Sequence, residues 1–148
     1  MHIMIPKRKD VQACAKVYMA AYGAEPWNET YEAAEVEKYI ADYLDSDTKC
    51  CFALVEEEEI KGVALGLIVP YITQPYLRLE DFCVDFSVQR KGYGSSFMGL
   101  LLNKAAELGC DSVLLGTQKG YPSHRFYVKN GFQEVESVLL YKEIRCLD

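Results

Sequence analysis

Several features that would assign a chain to a particular class are scarce in this 148-residue sequence. It contains two histidines and one tryptophan, and none of its six cysteines forms a CxxC pair with another. No apolar run approaches the roughly 20 residues that a membrane-spanning helix needs. We therefore expect no metal site, no disulfide framework and no association with a membrane.

Positive charge is also in deficit, with 16 Lys and Arg against 22 Asp and Glu and a net charge of −6. Proteins that bind nucleic acids usually present a basic face, so no nucleic-acid partner is expected. The first ten residues, MHIMIPKRKD, become charged after five positions, unlike a secretory signal. Scattered cysteines favour a reducing compartment, and we expect a cytoplasmic protein.

What is present is the composition of a globular chain, with half of its residues hydrophobic, and a length typical of one domain covering residues 1–148. Hydrophobic periodicity and turn residues predict a strand at 2–6, helices at 10–23 and 30–44, strands at 50–56, 63–69 and 77–86, a helix at 95–108, a strand at 112–116, a helix at 122–130, and one or two strands within 132–144. The order β-α-α-β-β-β-α-β-α-β predicts an α/β fold with a mixed sheet.

A glycine-containing loop, VQRKGYG (88–94), joins a predicted strand to a predicted helix. A helix N-terminus leaves backbone N–H groups unpaired and attracts anions. Gly92 and Gly94 lack a Cβ, so an anion could approach these N–H groups, with Arg90 and Lys91 beside it. The sequence predicts a phosphate-binding loop without the GK[ST] ending of a Walker motif. The alternative is a plain strand-to-helix turn with exposed cations.

Two segments carry a resemblance to a known family. QRKGYG (89–94) resembles the Q/R-x-x-G-x-G/A signature of the GCN5-related N-acetyltransferases (GNAT), and FYVKNGF (126–132) resembles their FYxxxGF segment. The resemblance covers essentially the full chain and implies a mostly antiparallel central sheet flanked by helices. It further implies acetyl-CoA as co-substrate, with its pyrophosphate on the loop and its pantetheine arm along the preceding strand. The cofactor-binding residues that it implies are Phe82, Cys83, Val84, Gln89, Arg90, Lys91, Gly92, Tyr93, Gly94 and Ser95.

The same resemblance implies direct attack by an amine in a ternary complex, so no nucleophile of the protein is needed. Tyr127 stands at the position of the family's FY tyrosine and is expected to protonate the departing thiolate as a general acid. The alternative is that Tyr127 only packs on the core with Phe126.

Glu80 is the candidate general base. Strand alternation predicts Glu80 on one face with Phe82 and Val84, and Asp81 on the opposite face. The segment LEDF (79–82) resembles the LEDFF stretch of the diamine (spermidine/spermine) acetyltransferases, where a glutamate assists deprotonation of the amine. The alternative is an exposed or salt-bridged strand glutamate.

Two positions depart from the family's pattern. Gly120 stands where many members carry asparagine, and Leu115 stands where ribosomal-protein N-terminal acetylases carry glutamate. The base role is therefore left to Glu80 or to water.

The acceptor is expected to contact the segment AEPWNETY (24–31), which resembles the PWNE-like segment of some aminoglycoside acetyltransferases. Trp27 either walls the substrate cleft or covers the core. Glu25, Glu29 and Asp81 could attract a cation. We expect a small-molecule primary amine as substrate. A non-catalytic acyl-CoA sensor and a protein or peptide amine acetyltransferase are the alternatives, and the chain could form a homodimer.

Overall fold

The computed structural model describes residues 1–145, which form one five-stranded sheet with helices on both faces. The elements are β1 (His2–Met4), α1 (Val11–Tyr22), α2 (Ala33–Ala41), β2 (Lys49–Glu56), β3 (Glu59–Val69), β4 (Tyr76–Val84), α3 (Tyr93–Glu107), β5 (Val113–Leu115) and α4 (Pro122–Lys129). The first nine predicted elements are confirmed in type and order.

The strands lie in the order β1-β2-β3-β4-β5. The first four pair in antiparallel fashion, and β5 pairs with β4 in parallel over three residues. The sheet is therefore mixed and mostly antiparallel, as expected.

The hairpin between β2 and β3 is tighter than the sequence predicts. Glu57 and Glu58 both have positive φ values, 52° and 64°. Two left-handed residues form a two-residue turn whose twist matches that of the flanking strands. β3 therefore begins at Glu59, within the stretch 57–62 that was expected to be a loop.

Each face of the sheet covers its own hydrophobic core. On one face α1 and α2 bury Cys14, Val36, Ile40 and Cys51, and Cys83 of β4 belongs to this core. On the other face α3 buries Phe97 and Leu101 against strand side chains. Cys14 and Cys83 are buried in the first of these cores, with exposed fractions of 0% and 7%.

The predicted last strand is not formed, since residues 132–145 contain no strand. Val138, Leu139 and Leu140 are 77–92% exposed. The neighbouring strand β5 is only three residues long, so its edge offers few backbone groups for a ladder. An apolar segment with β propensity still needs a partner of matching length to become a strand.

The described cysteines, Cys14, Cys50, Cys51, Cys83 and Cys110, are all free thiols. Within residues 1–145, no group of three His, Cys, Asp or Glu side chains could hold a metal ion. In the same range, no helix combines the length and apolar character that crossing a membrane requires.

Candidate active site

A cleft opens in the sheet where β4 loses one of its two neighbours. β5 pairs with β4 only from Leu77 to Leu79, whereas β4 continues to Val84 beside β3 alone. Beyond Leu79 the outer edge of β4 therefore carries backbone groups without a strand partner. The space beside this edge has a volume of about 950 Å³ and is bordered by α1, α4 and the loop before α3.

The loop at one end of this cleft has the backbone of an anion-binding site. Arg90 and Gly92 have φ values of 63° and 85°, and α3 begins immediately afterwards at Tyr93. Left-handed residues that lead into a helix start are typical of the backbone nests that bind phosphates, because successive N–H groups remain free. The loop residues that border the cleft are Gln89, Arg90, Gly92, Gly94 and Ser95.

The two glycines of the loop have different structural roles. A Cβ on Gly92 would meet nothing within 4 Å, but its left-handed conformation disfavours other residues. A Cβ on Gly94 would stand 3.0 Å from the ring of Phe126, so this glycine lets α3 and α4 pack closely. Gly94 also borders the cleft, so its role in binding an anion stays a prediction beside this packing role.

Two predicted cofactor-binding side chains do not border the cleft. The hydroxyl of Tyr93 donates a hydrogen bond to the Glu56 carboxylate, and Lys91 is exposed. The roles of Lys91 and Tyr93 in binding stay predictions.

The predicted pantetheine-binding residues of β4 present their backbone edge to the cleft. The Phe82 ring stacks on Phe97 and Phe126, with centroids 4.9 and 5.8 Å apart. Cys83 lies in the core on the opposite face. Phe82, Cys83 and Val84 border the cleft, and an extended ligand could pair with this strand edge.

Tyr127 of α4 is both packed and part of the cleft wall. Its ring lies 5.3 Å from that of Phe126, 5.5 Å from that of Phe132 and 6.3 Å from that of Phe82. Burial first, and then the nearby Cys83 and Asp81, raise the pKa of the Tyr127 phenol. The phenol is therefore protonated at neutral pH and can donate a proton.

A β-bulge changes the predicted arrangement of the acidic residues. Leu65 of β3 pairs with Asp81, whereas the next residue, Gly66, pairs with Leu79, so Glu80 is the extra residue. Leu79 packs on the side of α3, while Asp81 contacts α1 and α2. Glu80 and Asp81 consequently lie on the same side of the sheet, and the alternation predicted from the sequence is wrong here, because a bulge shifts it by one residue.

Glu80 borders the cleft and forms an ion pair with the preceding exposed arginine of the strand. The distance from Arg78 Nε to Glu80 Oε1 is 3.1 Å, and the Glu80 side chain is 34% exposed. The salt-bridged strand glutamate that was considered as an alternative is thus present. The role of Glu80 as a base stays a prediction.

Asp81 is held by two phenols from the helices above it. Tyr18 Oη donates to Asp81 Oδ1 over 3.2 Å, and Tyr39 donates to Oδ2. Burial and the Asp81 carboxylate raise the pKa of both tyrosines, so both remain donors. Among residues 1–145, no lysine or arginine forms an ion pair with Asp81.

Aromatic rings close the cleft on the acceptor side. The Trp27 ring lies 5.9 Å from that of Tyr22 and 5.4 Å from that of Tyr121, and so bridges α1 to the loop before α4. Glu25 borders the cleft beside Trp27. Glu29 is exposed and accepts a hydrogen bond from Tyr31 instead.

Comparison with known proteins assigns the chain to a family. The model of the "Acetyltransferase (GNAT) family" matches residues 12–132, which include both the loop and Tyr127. The chain belongs to the GNAT acetyltransferases. No curated protein sequence matches this GNAT chain.

Solved structures share the GNAT fold over nearly the whole chain. A transcriptional regulator from Bacillus halodurans has a TM-score of 0.77 at 20% identity, covering 95% of this chain and 98% of its own. The aminoglycoside 6'-N-acetyltransferase AAC(6')-IG from Acinetobacter haemolyticus has a TM-score of 0.76 at 14% identity, covering 98% and 99%. The aminoglycoside N-acetyltransferase AAC(6')-Iy in complex with CoA has a TM-score of 0.76 at 18% identity, covering 97% and 94%. At these identities the likeness shows the fold alone.

Sequence reasoning missed the tyrosines that surround the acceptor side of this GNAT cleft, namely Tyr18, Tyr22, Tyr39 and Tyr121. A usable signal was present on the first two helices. Tyr18 and Tyr22, like Tyr39 and Tyr43, are spaced by four residues, which places each pair on one helix face. Two such pairs on helices packed over a strand that carries an acidic residue indicate a phenol-lined site.

Proposed function

We propose that this protein transfers an acetyl group from acetyl-CoA to a primary amine of a small molecule, by direct attack of the amine in a ternary complex. The observation that carries this proposal is the position of Tyr127. This half-buried, protonated phenol lies in the same cleft as the candidate phosphate-binding loop and the acidic pair of β4.

The donor end of the cleft fits a polyphosphate ligand with an extended arm. The free N–H groups at the start of α3 and the side chains of Arg90 and Lys129 favour an anion. The unpaired edge of β4 favours an extended chain with amide groups. When bound there, acetyl-CoA supplies an activated acyl thioester.

Residues of the protein would then donate and accept the protons of the reaction. Tyr127 holds the proton that a departing thiolate needs, at its phenol oxygen. Glu80, next to the cleft on the bulge, is proposed to take a proton from the amine, directly or through water. A carboxylate can do so only while it is not fully committed to Arg78, and the exposure of this ion pair keeps it easily exchanged.

The acceptor end favours a small cationic amine. Glu25 and Asp81 border it, and in the part of the chain that the structure describes neither forms an ion pair with a lysine or arginine. Trp27 and Tyr22 narrow it. Two of the structural neighbours are aminoglycoside acetyltransferases, which supports a small molecule over a protein as acceptor.

Steady-state release of CoA thiol from acetyl-CoA over a panel of primary amines tests the proposal. We expect amine-dependent release, and a Tyr127→Phe variant that turns over roughly 10²–10⁴-fold more slowly, because general acid catalysis contributes about that factor. Its affinity for CoA, measured by calorimetry, should match the parent. If the protein binds CoA but releases no CoA thiol from acetyl-CoA with any amine, it is a non-catalytic sensor. If Tyr127→Phe retains full activity, the phenol has only a packing role.

A further inference from the structure

Asp81 and Glu80 are neighbours on one side of the sheet but differ in how their charge is balanced. Glu80 has Arg78 at 3.1 Å. Among residues 1–145, Asp81 receives side-chain hydrogen bonds only from neutral donors, the hydroxyls of Tyr18 and Tyr39. Within residues 1–145 no cationic side chain balances the negative charge of Asp81, so a cationic ligand could balance it. The two phenols fix the orientation of its carboxylate.

The surroundings of Asp81 suit a cationic group. Asp81 borders the cleft together with the rings of Tyr22 and Trp27. An ammonium ion gains free energy both from a carboxylate and from the faces of tyrosine and tryptophan rings, most of all where water is partly excluded. Neutral or anionic groups gain neither term.

The cation that Asp81 holds cannot be the nitrogen that reacts. The attacking amine must be neutral, and a carboxylate in contact with an ammonium ion favours its charged form. An anion fixed by two hydrogen bonds would thus oppose the deprotonation that the reaction needs. The group bound at Asp81 must remain protonated, or be permanently charged, while another nitrogen of the same molecule is acetylated.

We propose that Asp81, oriented by Tyr18 and Tyr39, binds a second cationic group of the acceptor, so that the preferred substrates carry a reacting primary amine and at least one further ammonium group. Tyr18 and Tyr39 are positioning residues for this carboxylate. The proposal rests on the proposed amine acetylation and names its substrate class.

Acceptors with carbon chains of equal length allow the effect of the second charge to be measured apart from the effect of chain length. We compare kcat/KM for 1-aminopentane, 5-amino-1-pentanol and 1,5-diaminopentane, with the diamine value halved for its two equivalent amines. We expect the diamine to exceed both others by about 10- to 100-fold, the usual range for a hydrogen bond to a charged group. In Asp81→Asn this advantage, taken as the ratio of the two kcat/KM values within the variant, should fall to about twofold or less.

The phenol variants test the positioning role. Tyr18→Phe and Tyr39→Phe should each lower the diamine advantage, because they should raise the KM for the diamine by a larger factor than the KM for 1-aminopentane. Tyr31→Phe is the matched control, because Tyr31 packs on the same cluster but donates to Glu29. Equal losses in Tyr31→Phe and Tyr39→Phe would overturn the role of the Asp81 hydrogen bonds.

Binding of tetramethylammonium, which cannot be acetylated, gives a readout that needs no activity. NMR titration should show binding to the parent protein and at least about tenfold weaker binding to Asp81→Asn. If amines are acetylated but mono- and diamines are equivalent, the second cation site is refuted and the acetyltransferase proposal stands. If no amine is acetylated while tetramethylammonium binds through Asp81, the cation site stands and the acetyltransferase proposal fails.

Discussion

Two adjacent carboxylates of β4 have different environments in the cleft. Glu80 lies on the bulge beside Arg78, and Asp81 lies under two tyrosines, although the two residues are adjacent in the chain. One carboxylate is exposed and exchangeable, the other is fixed. A proton acceptor benefits from the first environment, and a binding group benefits from the second.

Replacing Glu80 by Gln should alter the pH dependence more than the maximal rate. Without the carboxylate the reaction must draw on amine that is already neutral, so kcat/KM should fall most well below the pKa of the amine and approach the parent value above it. The measurement is a pH–rate profile with one acceptor. Arg78→Gln is the control, since it breaks the same ion pair and keeps the carboxylate; a profile shifted equally by both changes would assign the effect to the ion pair.

The sequence was sufficient to locate the candidate site residues that a motif marks and that the structure brings to one cleft. The loop around Gly92 and the tyrosine of α4 were predicted because the spacing of glycines and aromatics expresses their role directly. The side of the sheet on which Glu80 lies was predicted wrongly, because the bulge that places Glu80 beside Asp81 depends on pairing with β3. Contacts such as that between Tyr39 and Asp81 need the tertiary structure for the same reason.

At the scale of elements, the junction of β4 and α3 determines the donor end. Gly92 is the left-handed residue immediately before the first turn of α3, and its position sets the direction of the free N–H groups. This junction could be predicted because its conformation depends on residues that are adjacent in the chain. The strand expected in residues 132–144 could not, because it needed a partner edge longer than the three residues of β5.

Gly92→Ala should weaken CoA binding and lower stability modestly. A left-handed alanine costs about 1–2 kcal/mol, and the loop can avoid this cost only by turning its N–H groups away from the ligand. Calorimetry with CoA and urea unfolding give the two values. Gly99→Ala, at an exposed and open position inside α3, should instead stabilise by about 1 kcal/mol and leave CoA affinity unchanged. Unchanged CoA affinity in Gly92→Ala would argue against the loop as the phosphate site.

Across the whole molecule, charge is distributed unevenly along the cleft. Arg90 of the loop before α3 and Lys129 of α4 border it, as do Glu25 beside Trp27 and Asp81 of β4, in a chain of net charge −6. A polyanionic donor and a cationic acceptor would each be attracted to its own end.

Salt should therefore raise the KM of a cationic acceptor, because the screening length falls from about 10 Å at 0.1 M to about 3 Å at 1 M ionic strength. Glu25→Gln should raise the same KM at low salt and flatten its dependence on salt. Glu107→Gln removes an equal charge from α3, where Glu107 pairs with Lys104, and should have little effect. Equal responses to both changes would mean that only net charge matters.

Tyrosines that are fully or partly buried make the stability of the protein depend on pH in the alkaline range. Burial raises the pKa of Tyr18, Tyr22 and Tyr127 above the value of about 10 that they have when unfolded. Their contribution is fully present below pH 10 and is lost as the pH rises towards the folded values, because the unfolded chain releases these protons first. The urea midpoint should fall above pH 10, and less steeply in Tyr22→Phe than in the parent; an identical slope would show that other groups cause the loss.

The two adjacent thiols of β2 can report the separation of the helical layer from the sheet. Cys51 is 2% exposed in the core beneath α1 and α2, while Cys50 is half-buried on the opposite face. Burial raises the pKa of the Cys50 thiol to about 11, and the pKa of the Cys51 thiol is raised as well, so both thiols react slowly. A reagent can reach Cys51 only when the helical layer separates from the sheet, whereas reaction at Cys50 does not need this separation. The ratio of their alkylation rates thus measures the free energy of that opening, and a ligand that bridges α1 to β4 should retard the labelling of Cys51 while leaving that of Cys50 unaltered.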